Sequence, residues 1–516
     1  MSTGSAWSRV FFLINLLFLL ILPGAQAQIL QTERIEVPIS ENEFGITEKF
    51  KAIGLEGNGL IVYRRIPGLA SSEDQLEMIK LDTALKADWK GYISVPKNLK
   101  VAHVQYSNNL FCILFKDQYL LGGDFQIVVV RVSNGKSTAY TIKNLIPFNS
   151  TEFVITPQAA LIGGYFNYRP LVLYFSFTTQ TSKILPGFFN ELGELNQLKT
   201  YPDGSLDVIV CAKNPEKRKS LWIKNYDSQG ELIKTTILEP PQGKQLLFGR
   251  SVKLANGDQI VAGVYGRFGE YSRGIFLAGV SEAGEYAIRY YNFGDLHNFF
   301  SYMKLRKQKR IKNKVERRNE HGRKVKFNYR FLIHDLIPYE GQYIMTGEAF
   351  YPHYTYPNNS FYRTRSFYPS TSFTNMAGSS RGDLIFDGYQ YTHAVVVGFD
   401  KNGKIQWDNS FEINDVKTPQ LEQFVEVKPE KDRIVMMYLF ENKLRSKIIR
   451  NSEVLEGKTM DVKRDKKELK PDGDIAQNEE LDFWYGDYFF SYGIQKIKEK
   501  NSPTRRIFYV NKITYK

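Results

Sequence analysis

The sequence predicts an all-β fold: a β-propeller, most simply of eight four-stranded blades, with seven blades and a pair of stacked sandwiches as the alternatives. Three observations predict it. A hairpin tile recurs along most of the chain. Its turns lie roughly 45 to 60 residues apart, with one gap near 120. The composition carries 36 Phe and 32 Tyr, the aromatic enrichment that favours strands. Four-stranded units at this period cannot bury both faces alone, so they must stack in a ring.

The sharpest copy of the tile is Thr392 to Phe411. Ala394 to Phe399 reads as a strand buried on both faces, Asn402-Gly403 as a type I′ turn, and Ile405 to Phe411 as the returning strand. Further copies are Ile79–Trp89, Val129–Tyr140, Tyr174–Leu185, Ile223–Lys234 and Leu277–Ile288, with fainter ones at Arg445–Lys458 and Ile507–Lys516. A second hairpin precedes each, as around Asp203-Gly204 and Asn256-Gly257. The blades so defined run approximately 44–96, 97–146, 150–187, 194–239, 244–294, 328–415, 421–464 and 478–516. The last has only three strands. Glu33 to Ser40 is expected to supply the fourth, pairing with Ile507 to Tyr515 and removing an open sheet edge.

Residues 1–27 read as a secretory signal peptide: Arg9, an apolar run from Val10 to Leu22, then Ala25-Gln26-Ala27 as a cleavage pattern. The run falls short of the ~20 residues of a membrane span, and an uncleaved anchor is the rival reading. Residues 28–516 then form one propeller domain with no transmembrane segment, exported to the periplasm, the outer surface or beyond. Cys112 and Cys211 are expected at equivalent strand positions of blades two and four, too far apart to bridge.

Asp400, Gly403, Lys404 and Trp407 match the Asp-x-x-Gly-Lys-x-x-Trp pattern of quinoprotein blades, and the first copy keeps Asp82 and Trp89 at the same spacing. The repeat therefore resembles quinoprotein-like and WD40-like propellers, and the whole chain resembles secreted propeller proteins of Gram-negative bacteria. The resemblance implies a fold. It does not imply quinone chemistry, since the chain lacks the adjacent cysteines those dehydrogenases use. No cofactor is expected.

Net charge is +14, yet Lys304 to Lys326 holds twelve Lys/Arg against Glu316 and Glu320. The basicity is thus local. That stretch belongs to an insertion at about 299–325, read as a helix with Met303, Ile311 and Val315 along one side and Gly322 as its stop. A second insertion, about 351–391, is rich in Tyr, Phe and Arg. In a propeller the inter-blade connections and the second-to-third-strand loops open on one face, so both insertions are expected on a common rim. The binding candidates are Lys307 and Arg310 in the first, and Tyr354, Tyr356, Tyr362, Arg363 and Arg365 in the second. Arg64, Lys116, Lys213 and Arg267, at the ends of other second strands, extend the positive field.

Catalytic signatures are absent: no nucleophile elbow, phosphate loop, CxxC or HExxH. The candidates for acid–base work are Glu348, His334, Asp335 and His353, whose spacing matches no metal motif. The leading expectation is a non-catalytic propeller binding an anionic glycan, a lipid headgroup or an envelope protein, with nucleic acid excluded by export. A glycan hydrolase or lyase using Glu348 and His334 is the alternative, and an envelope scaffold without a small ligand is another.

Overall fold

The computed structural model describes residues 29–39, 50–68, 71–120, 122–188, 192–267, 269, 271–355, 385–461, 477–497 and 505–515. The stretch read as a signal peptide lies outside them, as do Tyr356, Tyr362, Arg363 and Arg365. Eight antiparallel sheets form the fold, seven of four strands and one of six. They occupy 51–96, 99–142, 149–184, 193–238, 245–292, 330–418, 426–461 and 477–515, close to the predicted blades.

Burial follows strand rank. The second strand of blade five, Gln259–Gly266, is buried at every position, and that of blade four, Leu206–Lys213, at all but the last. Outer strands alternate, as Ala87–Pro96 does. The core divides into eight apolar clusters, and each joins two neighbouring blades. One of them packs Phe50, Leu60 and Val62 of blade one on Trp484, Phe490 and Phe508 of blade eight. The ring is therefore closed by burial. It is also closed by pairing: Ile29–Ile39 lies antiparallel to Arg505–Tyr515, with Arg34 opposite Asn511 and Ile39 opposite Arg506. Arg34 fastens this seam by donating to Asn511 Oδ1 (3.1 Å) and Gln495 Oε1 (2.8 Å).

The tile turn differs from expectation in type. Only Gly403 has a positive φ, +70°, and the register slips by one residue between Gly398 and Phe399. This is a type I turn followed by a left-handed residue in a bulge, not a type I′ turn. Asp400 selects it: its Oδ1 accepts from Asn402 N and Lys404 N, both at 2.9 Å. Asp82 and Asp227 do the same in blades one and four. Cys112 and Cys211 are free and buried, and burial pushes both thiols up to about 12. They share a strand rank but not a height, being the third and the sixth residue of their strands.

Candidate functional site

Strand direction defines two faces. On the turn face, first strands turn into second and third into fourth. On the connection face, chains cross between blades and second strands turn into third. Both insertions leave from the connection face, one after the outer strand of blade five (Tyr286–Asn292), the other between the second and third strands of blade six (Gln342–Thr355 and Ile385–Phe399).

The first insertion begins by wedging between blades five and six. Phe293, Phe299 and Phe300 are buried there, with Phe293 stacked on Phe299 at 4.5 Å. The Asp408 carboxylate accepts from His297 N (2.9 Å) and Asn298 N (2.6 Å). Burial raises the Asp408 pKa, and these two N–H groups pull it back down. A helix then runs Leu305–Glu320. Val315 is its buried anchor and Ile311 packs on the core between blades five and six, as the sequence predicts, while Met303 packs on that core from just before the helix. Gly294 makes the seat: a Cβ there would stand 3.0 Å from Val315. Gly322, at φ +64°, ends the helix. Gly322 N donates to Asn319 O and Arg323 N to Arg318 O, the paired bonds of a Schellman stop. Lys307 and Arg310 are exposed. Among the described residues of this segment, Lys324 alone is ion-paired, to Asp295 at 2.5 Å.

The second insertion starts as a ribbon. Strand pairing continues past the blade, from Tyr351 opposite Gln390 to Thr355 opposite Ile385. Tyr354 is partly exposed and its ring packs edge-on to Phe386, while Tyr389 and Tyr391 are buried. His353 Nδ1 lies 3.1 Å from Asp387, which also pairs with Lys417 at 2.6 Å.

Glu348 does not end its strand, contrary to the sequence-based expectation, because the ribbon carries that strand on to Thr355. It is 1% exposed. Its carboxylate accepts from Val425 N at 2.6 Å and Phe424 N at 3.0 Å, the residues entering blade seven. His334 Nε2 stands 3.3 Å away. The structure thus brings Glu348 and His334 together, and separates them from Asp335, which faces Lys199 of blade four at 3.6 Å, and from His353 on the ribbon. Of the other rim cations, Lys213 and Arg267 are exposed. Arg64 pairs with Glu77 at 2.5 Å and covers the Phe50 ring. Lys116 stands opposite Lys100, and burial and that neighbour lower its pKa.

Sequence reasoning missed the space where blades eight, one and two meet. A cavity of about 670 Å³ is lined by Lys51, Tyr63, Lys100, His103, Glu480, Asp482 and Tyr492. Lys51 and Lys100 stand at the start of inner strands, so the cavity lies toward the connection face. Glu480 is bonded to Lys51 and Tyr492. Burial, then Glu480, pushes Asp482 up to about 6. Burial, then Asp482 and Glu348, pushes Glu426 up to about 8. Among the described residues no group of three or more His, Cys, Asp and Glu is placed to hold a metal ion. None of their helices is long and apolar enough to cross a membrane.

The strands and the site together define an eight-bladed β-propeller with one decorated face. No protein-family model and no curated protein matches the sequence. Among solved structures, the polysaccharide lyase Uly1 is similar at 10% identity and a TM-score of 0.41, over 94% of this chain and 99% of that one. The β-propeller domain of the trilobed protease from Pyrococcus furiosus is similar at 10% identity and 0.36, over 80% and 95%. The acylaminoacyl peptidase of Pyrococcus horikoshii is similar at 10% identity and 0.35, over 77% of this chain and 49% of that enzyme. The propeller assignment rests on the strand order of this chain itself.

Proposed function

We propose that this chain is an exported, non-catalytic propeller that captures an anionic partner on its connection face. One observation carries the reading. The helix Leu305–Glu320 and its N-cap Lys304 bring nine exposed Lys/Arg, and none of the nine is ion-paired among the described residues. A field of that kind attracts and steers anions, and salt weakens it. Val315, seated on Gly294, and Ile311, packed with the aromatic wedge, fix the helix to the ring, so the charge is held in place without an ion-paired partner among the described residues. The enzyme reading gains no comparable support, because the Glu348 carboxylate is buried and already accepts from two backbone N–H groups.

The test replaces the Lys and Arg of 304–318 with Gln, a residue of similar helix propensity. Binding of the mature protein to dextran sulfate and to anionic vesicles is measured at low and at physiological salt. The neutralised variant is expected to melt within a degree or two of the parent and to lose most of its binding to either polyanion. Equal binding by parent and variant at low salt removes the helix from the function.

A further inference from the structure

The exposed large apolar side chains of the described residues fall into two sets. One set is scattered over outer strands, such as Tyr92, Ile233 and Val454. The other set sits in connecting segments or on the ribbon, and every member is on the connection face. Tyr119 and Leu120 stand in the second-to-third loop of blade two and Leu145 in the crossing to blade three. Tyr168 stands in the second-to-third turn of blade three and Leu192 in the crossing to blade four. These five are between 53% and 78% exposed. Tyr271 follows in blade five, Leu305 at the start of the basic helix, and Tyr351 on the ribbon. The turns of the turn face carry no exposed large apolar side chain among the described residues, and the nearest on that side, Leu232, Ile233, Tyr286 and Val454, lie on the flanks of outer strands just after those turns. The turns themselves hold fourteen Asp/Glu against six Lys/Arg.

Resting on the anionic-partner reading, we propose that the partner is the surface of an anionic lipid bilayer, on which the propeller lies with its connection face down. Charge alone fits any polyanion. The Leu and Tyr tips add a requirement that a soluble polyanion does not meet, since it offers no apolar layer. Five consecutive blades, two to six, contribute tips. A rigid ring holds such tips near one plane, and a bilayer is a planar partner. Leu and Tyr at the level of the headgroups, flanked by Lys and Arg, are the side chains that interfacial binding uses. The opposite face is acidic, so the same membrane would repel it. The molecule is therefore polarised along the ring axis, and one of its two flat orientations is selected.

Two variants of the mature protein separate the inference from the reading beneath it. The tip variant carries Tyr119→Ser, Leu120→Ser, Leu145→Ser, Tyr168→Asn and Leu192→Ser. These positions are exposed, so its melting point should match the parent's, and that is checked first. The neutralised helix variant is the second. Each is floated with vesicles of phosphatidylcholine alone and of equal parts phosphatidylcholine and phosphatidylglycerol, and each is titrated with dextran sulfate. The parent should partition onto the mixed vesicles and ignore the neutral ones. The tip variant should lose more than tenfold in vesicle partition and keep its dextran sulfate affinity; the helix variant should lose both. A tip variant that binds mixed vesicles like the parent overturns the bilayer proposal and leaves the anionic reading standing. A parent that binds dextran sulfate or a soluble envelope protein but no vesicle has the same effect. A parent that binds neither polyanion overturns both.

Discussion

Replacing Glu348 with Ala separates structural work from catalysis. The side chain is buried at the junction of blades six and seven, where it accepts from Val425 N at 2.6 Å and Phe424 N at 3.0 Å. Hydrogen bonds to a charged group contribute about 1.5–3 kcal/mol each. Removing one member of a buried charged arrangement costs roughly 3–5 kcal/mol, because its partners are left unsatisfied. Two backbone donors are orphaned here, so the loss expected for Glu348→Ala is about 3–5 kcal/mol. Glu348→Gln keeps the shape and one acceptor oxygen but turns an amide NH₂ toward a donor or toward His334, and should lose about half as much. The assay is a thermal melt together with hydrogen exchange of the peptide spanning Phe424 and Val425. In a ring of eight blades the unfolding need not be two-state, so the local exchange rate is the sharper readout. Both variants should speed exchange there, Ala more than Gln. Unchanged melting and unchanged exchange, with any activity lost, would refute the structural role and return Glu348 to the catalytic candidates.

Two further outcomes are expected. Glu426 and Asp482 titrate at about 8 and about 6 in the folded protein against ordinary values of 4.5 and 3.8. The folded state therefore holds protons that the unfolded chain has released, and the stability these groups contribute is present in acid and lost as pH rises through 6 and then 8. Melting temperature measured from about pH 5 to 9 should fall, and Glu426→Gln should flatten the fall above about pH 6; a parental slope retained by the variant would exclude Glu426 as its source. Deleting residues through Ile39 should unpair the edge of Arg505–Tyr515, lower the melting point and promote aggregation. Adding the missing strand as a peptide should restore the melt, and a truncated protein that melts like the parent would show the seam to be dispensable.

Residues acting locally were legible in the sequence. Asp82 and Asp400 marked the repeat by their shared spacing to Trp89 and Trp407, and each holds its turn because an Asp that caps two backbone N–H groups needs only its next four residues. Gly322 marks its helix end for a similar reason. The closing strand was legible because a three-stranded last blade demands a partner and Glu33 to Ser40 offers an apolar alternation near the start of the chain. What stayed hidden depends on register across blades. Glu480 and Asp482 lie on the inner strand of blade eight, and only ring closure brings them to the cavity they share with Lys51 and Lys100; Glu426 lies on the inner strand of blade seven, within electrostatic reach of Asp482. Glu348 was misplaced because Tyr351 to Thr355 read as loop, whereas Ile385 to Gln390 pair with it and extend the sheet. The turn type was missed because Asn402-Gly403 fits both hairpin classes, and Asp400 decides between them.

The polarity of the two faces has two separate origins, and the difference bears on function. Acid on the turn face is partly consumed by turn geometry: Asp82, Asp227 and Asp400 each accept from two backbone N–H groups. A fold built from such hairpins gathers carboxylates there whatever its task. The cations of the helix Leu305–Glu320 satisfy nothing comparable. The helix has no acidic residue in its first turn and no side-chain cap at Lys304. Lys304, Arg306 and Lys307 instead stand at the end where the helix dipole disfavours positive charge. Arg317 and Arg318 sit well at the other end, but the first turn contradicts local preference. Violations of local rules without local compensation collect where function is selected. The neutralised variant then carries a second expectation: removing three cations from the helix start should leave the helix as stable as before or slightly more so, while binding falls.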